Sequence, residues 1–427
     1  MDIYARNVSI SIFAPMIPFV NIQAQRNAYR EELEEAEKAV LDSGIYIGGK
    51  EVAQLEAELA AFTGAKNVAT CASGTDAITI ALLALDVQPG DEVVVPDFTF
   101  IAPAECAARL GATPKFADID ARTLQISAQS VEQLIGPRTK GIIAVNLFGQ
   151  CAPYKELREI ADRHGLWILE DSAQAFGATQ NGRRACTFGD ISITSFYPSK
   201  PLGCYGDGGA VFTDNIELAD KIRMIANHGS KERYLHQVIG MNSRLDAIQA
   251  AVLRVKLRHL AKELEMRQGN ADRYNQFFEA TEGIAPQTIA EGNTSTYAQY
   301  TLLVENREKF IQKLEAAGIP YCIHYPMPLH KQPCFKKENE QEAGNYSKAE
   351  CSSEAERSAE AGRSAEAERS AEAERSAEAE RSAEAGCSSE AESINRAEAA
   401  SKKAISLPMC AFTDVNAIIS KLQNEFR

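Results

Sequence analysis

From Asn67 to Phe212 the chain repeats one unit: a short β-branched, apolar run, a break rich in Gly, Pro or Asp, and then apolar residues at helical spacing. The predicted strands are Asn67–Cys71, Glu92–Val95, Thr113–Phe116, Gly141–Val145, Trp167–Glu170, Ile191–Phe196 and Gly209–Phe212. Helical patterns such as Asp76–Ala84 and Ile101–Arg109 fall between most of them. Strands separated by helices have both faces covered, which predicts an α/β layered fold with a largely parallel sheet. In such folds ligands gather at the carboxyl ends of the strands, so those ends are where chemistry is to be sought.

Two strand ends stand out. Ile191 to Thr194 feeds the stretch Ser195-Phe196-Tyr197-Pro198-Ser199-Lys200-Pro201-Leu202-Gly203-Cys204-Tyr205-Gly206-Asp207-Gly208-Gly209, and Ala210-Val211-Phe212 leaves it. A lysine held there, away from bulk water, loses affinity for its proton and becomes a nucleophile towards aldehydes. Taken alone, Lys200 reads as a loop lysine pointing into solvent. Upstream, Leu166-Trp167-Ile168-Leu169-Glu170-Asp171-Ser172-Ala173-Gln174 is an apolar run ending in acids. Trp167, Leu169 and Asp171 share one face of the pleat and Glu170 takes the other. Pyridoxal phosphate acts as an electron sink while its pyridine nitrogen stays protonated, and a carboxylate beside that nitrogen keeps it so. Asp171 could instead cap a following helix. A strand-end Asp followed by a Lys in a glycine-rich turn points to pyridoxal 5'-phosphate more specifically than either residue does.

Ser73-Gly74-Thr75 falls where the first strand gives way to a helix. Free amides and the positive end of a helix dipole make such a junction a phosphate site, though a plain N-cap reads the same way. Gly74 lets the backbone approach an anion, and Thr75 adds a hydroxyl.

With Ser73-Gly74-Thr75-Asp76-Ala77, Glu170-Asp171-Ser172-Ala173-Gln174, the Lys200 stretch and Asn242-Ser243-Arg244-Leu245-Asp246, the chain resembles the sugar aminotransferases of the DegT/DnrJ/EryC1/StrS family. The resemblance runs from about Met16 to Lys337 and resumes near Arg396. It implies the aspartate-aminotransferase type of pyridoxal-phosphate fold (fold type I): a large α/β domain over 16–246, then a bridging helix and a smaller C-terminal α+β domain over 247–427. Lys200 would carry the cofactor and move the proton, and Asp171 would face the pyridine nitrogen. Gly74, Thr75 and Ser195 would hold the phosphate, Phe100 would stack on the ring, and Gln174 would lie near the phenolic oxygen. Without the resemblance, Phe100 reads as an ordinary core residue. The resemblance also implies a homodimer with shared active sites, in which Asn242 reaches the cofactor phosphate of the neighbouring subunit and Arg244 its substrate. Arg244 alone could be a surface residue.

Within the family the Lys200 stretch, Tyr297-Ala298-Gln299-Tyr300 and His324-Tyr325-Pro326 look most like enzymes that aminate C3 of a UDP-linked 3-keto-N-acetylglucosaminuronic acid. That implies glutamate as amino donor and a cytoplasmic role in making cell-surface polysaccharide precursors, such as those of lipopolysaccharide O-antigen. A hexuronate carries a carboxylate besides its diphosphate, and Arg244, His324 and Tyr325 would bind it with charge-assisted bonds. His324-Tyr325-Pro326 closes a predicted strand, Tyr321–Ile323. A dTDP-linked 3-keto or UDP-linked 4-keto sugar is the alternative substrate. A non-catalytic scaffold is the alternative of another class, opposed by Lys200 and Asp171 together. Family dehydratases carry His where this chain has Lys200.

The remaining features set limits. Ten cysteines without paired CxxC spacing give neither a disulfide frame nor a metal site. No run of 18 apolar residues predicts a membrane span. The net charge is −14. Half of it comes from residues 351–392, which hold 12 Glu against 5 Arg, and the rest has no basic patch suited to nucleic acid. That segment repeats Ser-Ala-Glu-Ala-Glu-Arg with Arg357, Arg363, Arg369, Arg375 and Arg381 six residues apart. Six helical steps advance about 600°, so the repeat builds no apolar stripe. It reads as a tolerated surface insertion, helical or disordered, with a protein-binding role as the alternative. Residues 1–15 precede the family pattern and lack a basic n-region with a cleavage site; they read as a tail or an extended start before Met16.

Overall fold

The structure, a computed structural model, describes residues 17–279, 281–336 and 395–426. The N-terminal extension and the 351–392 repeat lie outside the described residues. Three helices open the chain: α1 (Ile22–Ala28), α2 (Arg30–Ser43) and α3 (Gly49–Thr63). The α/β layer follows, with β1 (Asn67–Cys71), α4 (Gly74–Ala84), β2 (Glu92–Pro96), α5 (Ala102–Arg109), β3 (Thr113–Ala117), α6 (Ala128–Leu134), β4 (Thr139–Val145), α7 (Tyr154–His164) and β5 (Trp167–Asp171). A small hairpin, β6 (Thr179–Gln180) and β7 (Arg183–Arg184), precedes β8 (Ile191–Ser195), β9 (Gly209–Thr213) and α8 (Ile216–Ala226).

Seven strands form one sheet in the order β1-β9-β8-β5-β4-β2-β3. β9 runs antiparallel to both neighbours, and the other pairs are parallel. Alternation along the strands builds two cores. Val93, Val95, Ile143 and Leu169 pack with α4 and α5 on one face, while Val94, Ile142 and Ile168 meet α6 and α7 on the other. Asp171 follows Leu169 on the first face and Glu170 takes the second, as the pleat predicts. The strand positions match the sequence reading to within two residues at each end.

Beyond the hairpin β10 (Ser230–Glu232) and β11 (Leu235–His236), α9 (Ala247–Phe278) runs for 32 residues. Its first half packs with α3 on the strand residues Val68, Ala210 and Phe212. Its end, Tyr274 and Phe278, enters a separate core with α10 (Arg307–Ala316), the helix Val415–Glu425 and a second sheet. That sheet, β12 (Ile284–Pro286), β13 (Tyr300–Val304) and β14 (Ala404–Leu407), is antiparallel throughout. The predicted strand Tyr321–Ile323 is reduced to one bridge, Cys322 with Ser406. Pro320 and Pro326 flank it, and prolines donate no ladder hydrogen bond.

Candidate active site

The turn from β1 into α4 is built for close approach. Ser73 is extended, and its hydroxyl caps α4 by accepting from the Asp76 amide at 3.0 Å. The first amides of a helix, here those of Gly74 and Thr75, have no intrahelical partner. A Cβ on Gly74 would lie 2.6 Å from the Ser195 Cβ, and one on Gly209 would lie 2.4 Å from the Ser73 carbonyl oxygen. The helix start, the end of β8 and the beginning of β9 are therefore pressed together without room for a side chain. Unpaired amides and the Ser195 hydroxyl collect there, beside the positive end of the α4 dipole, with Thr75 in the first turn of that helix.

β5 and β8 are parallel neighbours, with Asp171 paired to Ile193. This brings Asp171 beside the turn that holds Lys200. The turn closes on itself: the Lys200 amide donates to the Tyr197 carbonyl at 2.9 Å, and the Cys204 amide to the Phe196 carbonyl at 2.8 Å. Lys200 is half-buried, and burial holds its amine below the ordinary lysine range, opposed by the Asp171 charge. Burial pushes the Asp171 carboxyl up, opposed by the Ala173 amide and the Lys200 ammonium. Asp171 caps no helix; its Oδ1 accepts from the Ala173 amide at 2.9 Å.

Next to it, the fully buried Glu170 is saturated. It accepts from Asn146 Nδ2, Ser172 Oγ, the Cys186 and Phe188 amides and Ser192 Oγ, all within 2.7–2.9 Å. From the sequence Glu170 is placed only by its pleat face. Its acid within an apolar strand, followed by Ser172 and Ser192, was the available signal.

Aromatic and polar groups line the side of the site towards the second sheet. Phe100 is 53% exposed, unlike a core phenylalanine, and its ring centroid lies 6.4 Å from that of Tyr325. Gln174 accepts from the Phe148 amide at 2.7 Å and donates to the Tyr325 hydroxyl at 3.3 Å. His324 Nδ1 meets the Ser406 hydroxyl at 3.1 Å. Burial and the Lys200 ammonium depress His324 to about 4. The imidazole is thus neutral near pH 7. The charge-assisted bond expected from His324 is replaced here by a neutral one.

Asn242 and Arg244 stand apart from this cluster. The buried Ser243 between them donates to Asp76 Oδ2 at 2.7 Å and accepts from the Ala72 amide at 3.0 Å, which pins the segment to the cradle. Both flanking side chains are exposed, and among the described residues no hydrogen bond or ion pair engages Arg244. The chain therefore brings together Gly74, Thr75 and Ser195, then Asp171 with Lys200, and then Gln174, Phe100, His324 and Tyr325.

These residues fit pyridoxal 5'-phosphate. The cradle that a Cβ would fill suits its phosphate, the buried acid its pyridine nitrogen, and the amine its aldehyde. The exposed Phe100 ring is free to cover its face.

A family model described as the DegT/DnrJ/EryC1/StrS aminotransferase family matches residues 27–368. The chain is 47% identical over 323 residues to the UDP-2-acetamido-2-deoxy-3-oxo-D-glucuronate aminotransferase of Pseudomonas aeruginosa, covering 76% of this chain and 90% of that one. It is 42% identical over 319 residues to the UDP-N-acetyl-3-dehydro-alpha-D-glucosamine 3-aminotransferase of Acidithiobacillus ferrooxidans, covering 75% and 86%. Its fold is similar to the crystal structure of NtdA from Bacillus subtilis with bound cofactor PMP. There the TM-score is 0.77 and the identity 27%, over 99% of this chain and 87% of that one.

Proposed function

The chain belongs to the DegT/DnrJ/EryC1/StrS aminotransferase family, and from that premise we propose that it moves an amino group from glutamate to C3 of a UDP-linked 3-keto-N-acetylhexuronic acid. It is a sugar-nucleotide aminotransferase, and its cofactor is pyridoxal 5'-phosphate. The observation that carries the assignment of roles is the juxtaposition of Asp171 and Lys200, each opposing the effect of burial on the other.

When bound, the cofactor supplies a covalent carrier for the amino group and a sink for the electrons released as a C–H bond breaks. The chain's residues do the rest. Gly74, Thr75 and Ser195 hold the phosphate, and Asp171 keeps the pyridine nitrogen protonated. Gln174, itself fixed by Phe148 and Tyr325, orients the ring, and Phe100 shields one face from water. Lys200 Nζ takes the proton from Cα of glutamate in the first half-reaction and delivers one to C3 of the sugar in the second. A base with a proton affinity lowered towards neutral pH suits both directions. Glutamate leaves as 2-oxoglutarate and the ketone as an amine, so nitrogen and electrons balance.

The uronate is favoured by the relative from Pseudomonas aeruginosa, and the neutral 3-keto sugar by the relative from Acidithiobacillus ferrooxidans. We assign the uronate carboxylate to Arg244 of one subunit, with His324 and Tyr325 of the other. The exposed Arg244, together with exposed Ile45, Tyr46, Ile47 and Ile239, supports a homodimer that completes the site across its interface. The division at 246/247, at the start of α9, and a cytoplasmic location belong to the same proposal. Among the described residues no helix is long and apolar enough to cross a membrane. The test is turnover with glutamate on a panel of keto-sugar nucleotides. A UDP-3-keto-uronate should be used best; preference for a 4-keto sugar would overturn the assignment.

A further inference from the structure

The inner face of α9 carries a polar stripe that the chemistry described so far does not use. Gln249, Lys256 and Glu263 recur every seven residues, and Arg267 and Asn270 continue the line. Lys256, Glu263, Arg267 and Asn270 are all at least 96% buried. Each holds another element. Glu263 accepts twice from Gln25 Nε2, Arg267 Nη1 donates to the Tyr297 carbonyl, and Asn270 Nδ2 donates to the Cys410 carbonyl.

Lys256 is, with Arg267, one of two buried cations in the stripe. It is 2% exposed, and among the described residues no carboxylate forms an ion pair with it. Its ammonium donates to the Gly203 carbonyl at 2.7 Å and lies 4.3 Å from the centroid of the Tyr205 ring. A buried ammonium with no carboxylate in ion-pair contact is only partly compensated, here by the charge of Glu263 one heptad along the helix, and a methionine of similar length would pack there more cheaply. A neutral carbonyl and a ring face do not offset the cost of burial fully. Burial depresses the amine to about 8, opposed by the charge of Glu263.

What Lys256 grips is the turn that presents Lys200. Gly203 lies three residues after Lys200, pressed onto the backbone: a Cβ there would lie 2.5 Å from the Pro198 carbonyl oxygen. Gln249, two helical turns earlier, grips the next part of the same turn. It accepts from the Tyr205 amide at 2.7 Å and donates to the Tyr205 carbonyl at 3.2 Å. α9 therefore reads the backbone of the lysine turn at Gly203 and Tyr205.

We propose that Lys256 is a positioning residue for the transamination: from inside the protein it fixes the Gly203 carbonyl and thereby the burial and aim of the Lys200 amine. The inference rests on Lys200 as the cofactor-bearing lysine. Borohydride reduction and peptide mapping of the wild-type holoenzyme test that assignment separately.

The test compares wild type, Lys256→Met and Lys256→Arg. In the cofactor-free proteins, the Lys200 amine is titrated through its rate of labelling by an amine-selective reagent, followed by peptide mapping. With the turn released, the Lys200 proton affinity should return towards the ordinary lysine value. Labelling at pH 8 should then slow by about tenfold for each unit recovered. In the loaded proteins the visible absorption band should shift its pH midpoint in the same sense. kcat should fall about tenfold with little change in KM for the sugar nucleotide. Lys256→Arg, which keeps a charged donor, should restore the wild-type labelling profile at least in part. If Lys256→Met fails to fold, Lys256→Gln and Gln249→Leu replace it, each with the same readouts and a smaller expected shift. A normal labelling profile and a normal pH midpoint in these variants, whatever their melting temperatures, would reduce Lys256 to a purely structural role and overturn the proposal.

Discussion

Asp171 ends β5 and Lys200 lies in the turn that follows the neighbouring strand β8, and each opposes what burial does to the other. The carboxyl is pushed up and the amine down, yet each charge supports its partner's. Replacing one should therefore disturb both.

Lys200→Ala should abolish transamination while the Gly74–Thr75–Ser195 cradle still binds the cofactor. In wild type, borohydride should fix the cofactor on Lys200. Peptide mapping that finds the adduct on a different lysine would discard the role given to it here.

Asp171→Asn keeps the shape and removes the charge. A bond to a charged group in a buried site contributes about 1.5–3 kcal/mol, so both half-reactions should slow by roughly tenfold to a hundredfold or more. Stopped-flow absorbance of each half-reaction measures this. An effect confined to one half would contradict a role shared by both.

The cradle makes a steric prediction. Gly74→Ala would place a methyl 2.6 Å from the Ser195 Cβ. Overpacking of this kind costs about 1–3 kcal/mol. Cofactor affinity should drop, and melting temperature with it. Adding Ser195→Gly removes the clashing carbon and should recover the melting temperature but not the affinity, because the hydroxyl is lost too. Calorimetry and cofactor titration separate the two effects.

His324 supplies the pH dependence. Its folded pKa is near 4 against an ordinary 6.5, so between those values the unfolded chain binds a proton that the folded one refuses. Stability contributed by the neutral ring is present above about 6.5 and is lost as pH falls towards 4. The loss reaches at most about 3 kcal/mol, and less where water reaches the ring. Denaturant titrations from pH 7 to 4.5 should show the decline, and His324→Gln should flatten it. An unchanged slope would mean the ring is not held neutral.

How much was legible in the sequence depended on whether the signal was local. Strands such as Val93–Val95 announce themselves because both faces are buried and the run is continuously apolar. Asp171 and Lys200 were legible because a strand end or glycine-rich turn marks each one in its own neighbourhood. The neutral state of His324 was not, since it comes from burial and from Lys200, far away in sequence. Nor was the grip of Lys256 on Gly203: polar residues along α9 are visible in the sequence, but nothing local shows that a particular one turns inward. The heptad spacing of Gln249, Lys256 and Glu263 was the only sign. Tyr321–Ile323 misled because β-propensity is local, whereas a ladder also needs flanking donors that Pro320 and Pro326 do not provide.

The proposed substrate choice turns on Arg244. The residue is exposed and unengaged among the described residues, whereas Ser243 beside it is buried and bonded to Asp76. The backbone at this point is thus fixed, and the guanidinium is left for a group outside the chain's own fold. A uronate carboxylate is such a group, and His324, being neutral, leaves Arg244 as the cation for it. Loss of a charge-assisted bond in a partly desolvated site costs roughly 1.5–3 kcal/mol, on the order of tenfold to a hundredfold in specificity. Arg244→Ala should therefore depress kcat/KM for the UDP-3-keto-uronate by that factor and change it little for the neutral 3-keto analogue. His324→Gln should cost the uronate much less, since it removes only a neutral bond. The glutamate half-reaction, measured alone, shows whether Arg244 also holds the donor. If uronate and neutral sugar lose equally while the donor half-reaction is unaffected, Arg244 does not read the carboxylate, and the neutral 3-keto sugar becomes the better substrate assignment.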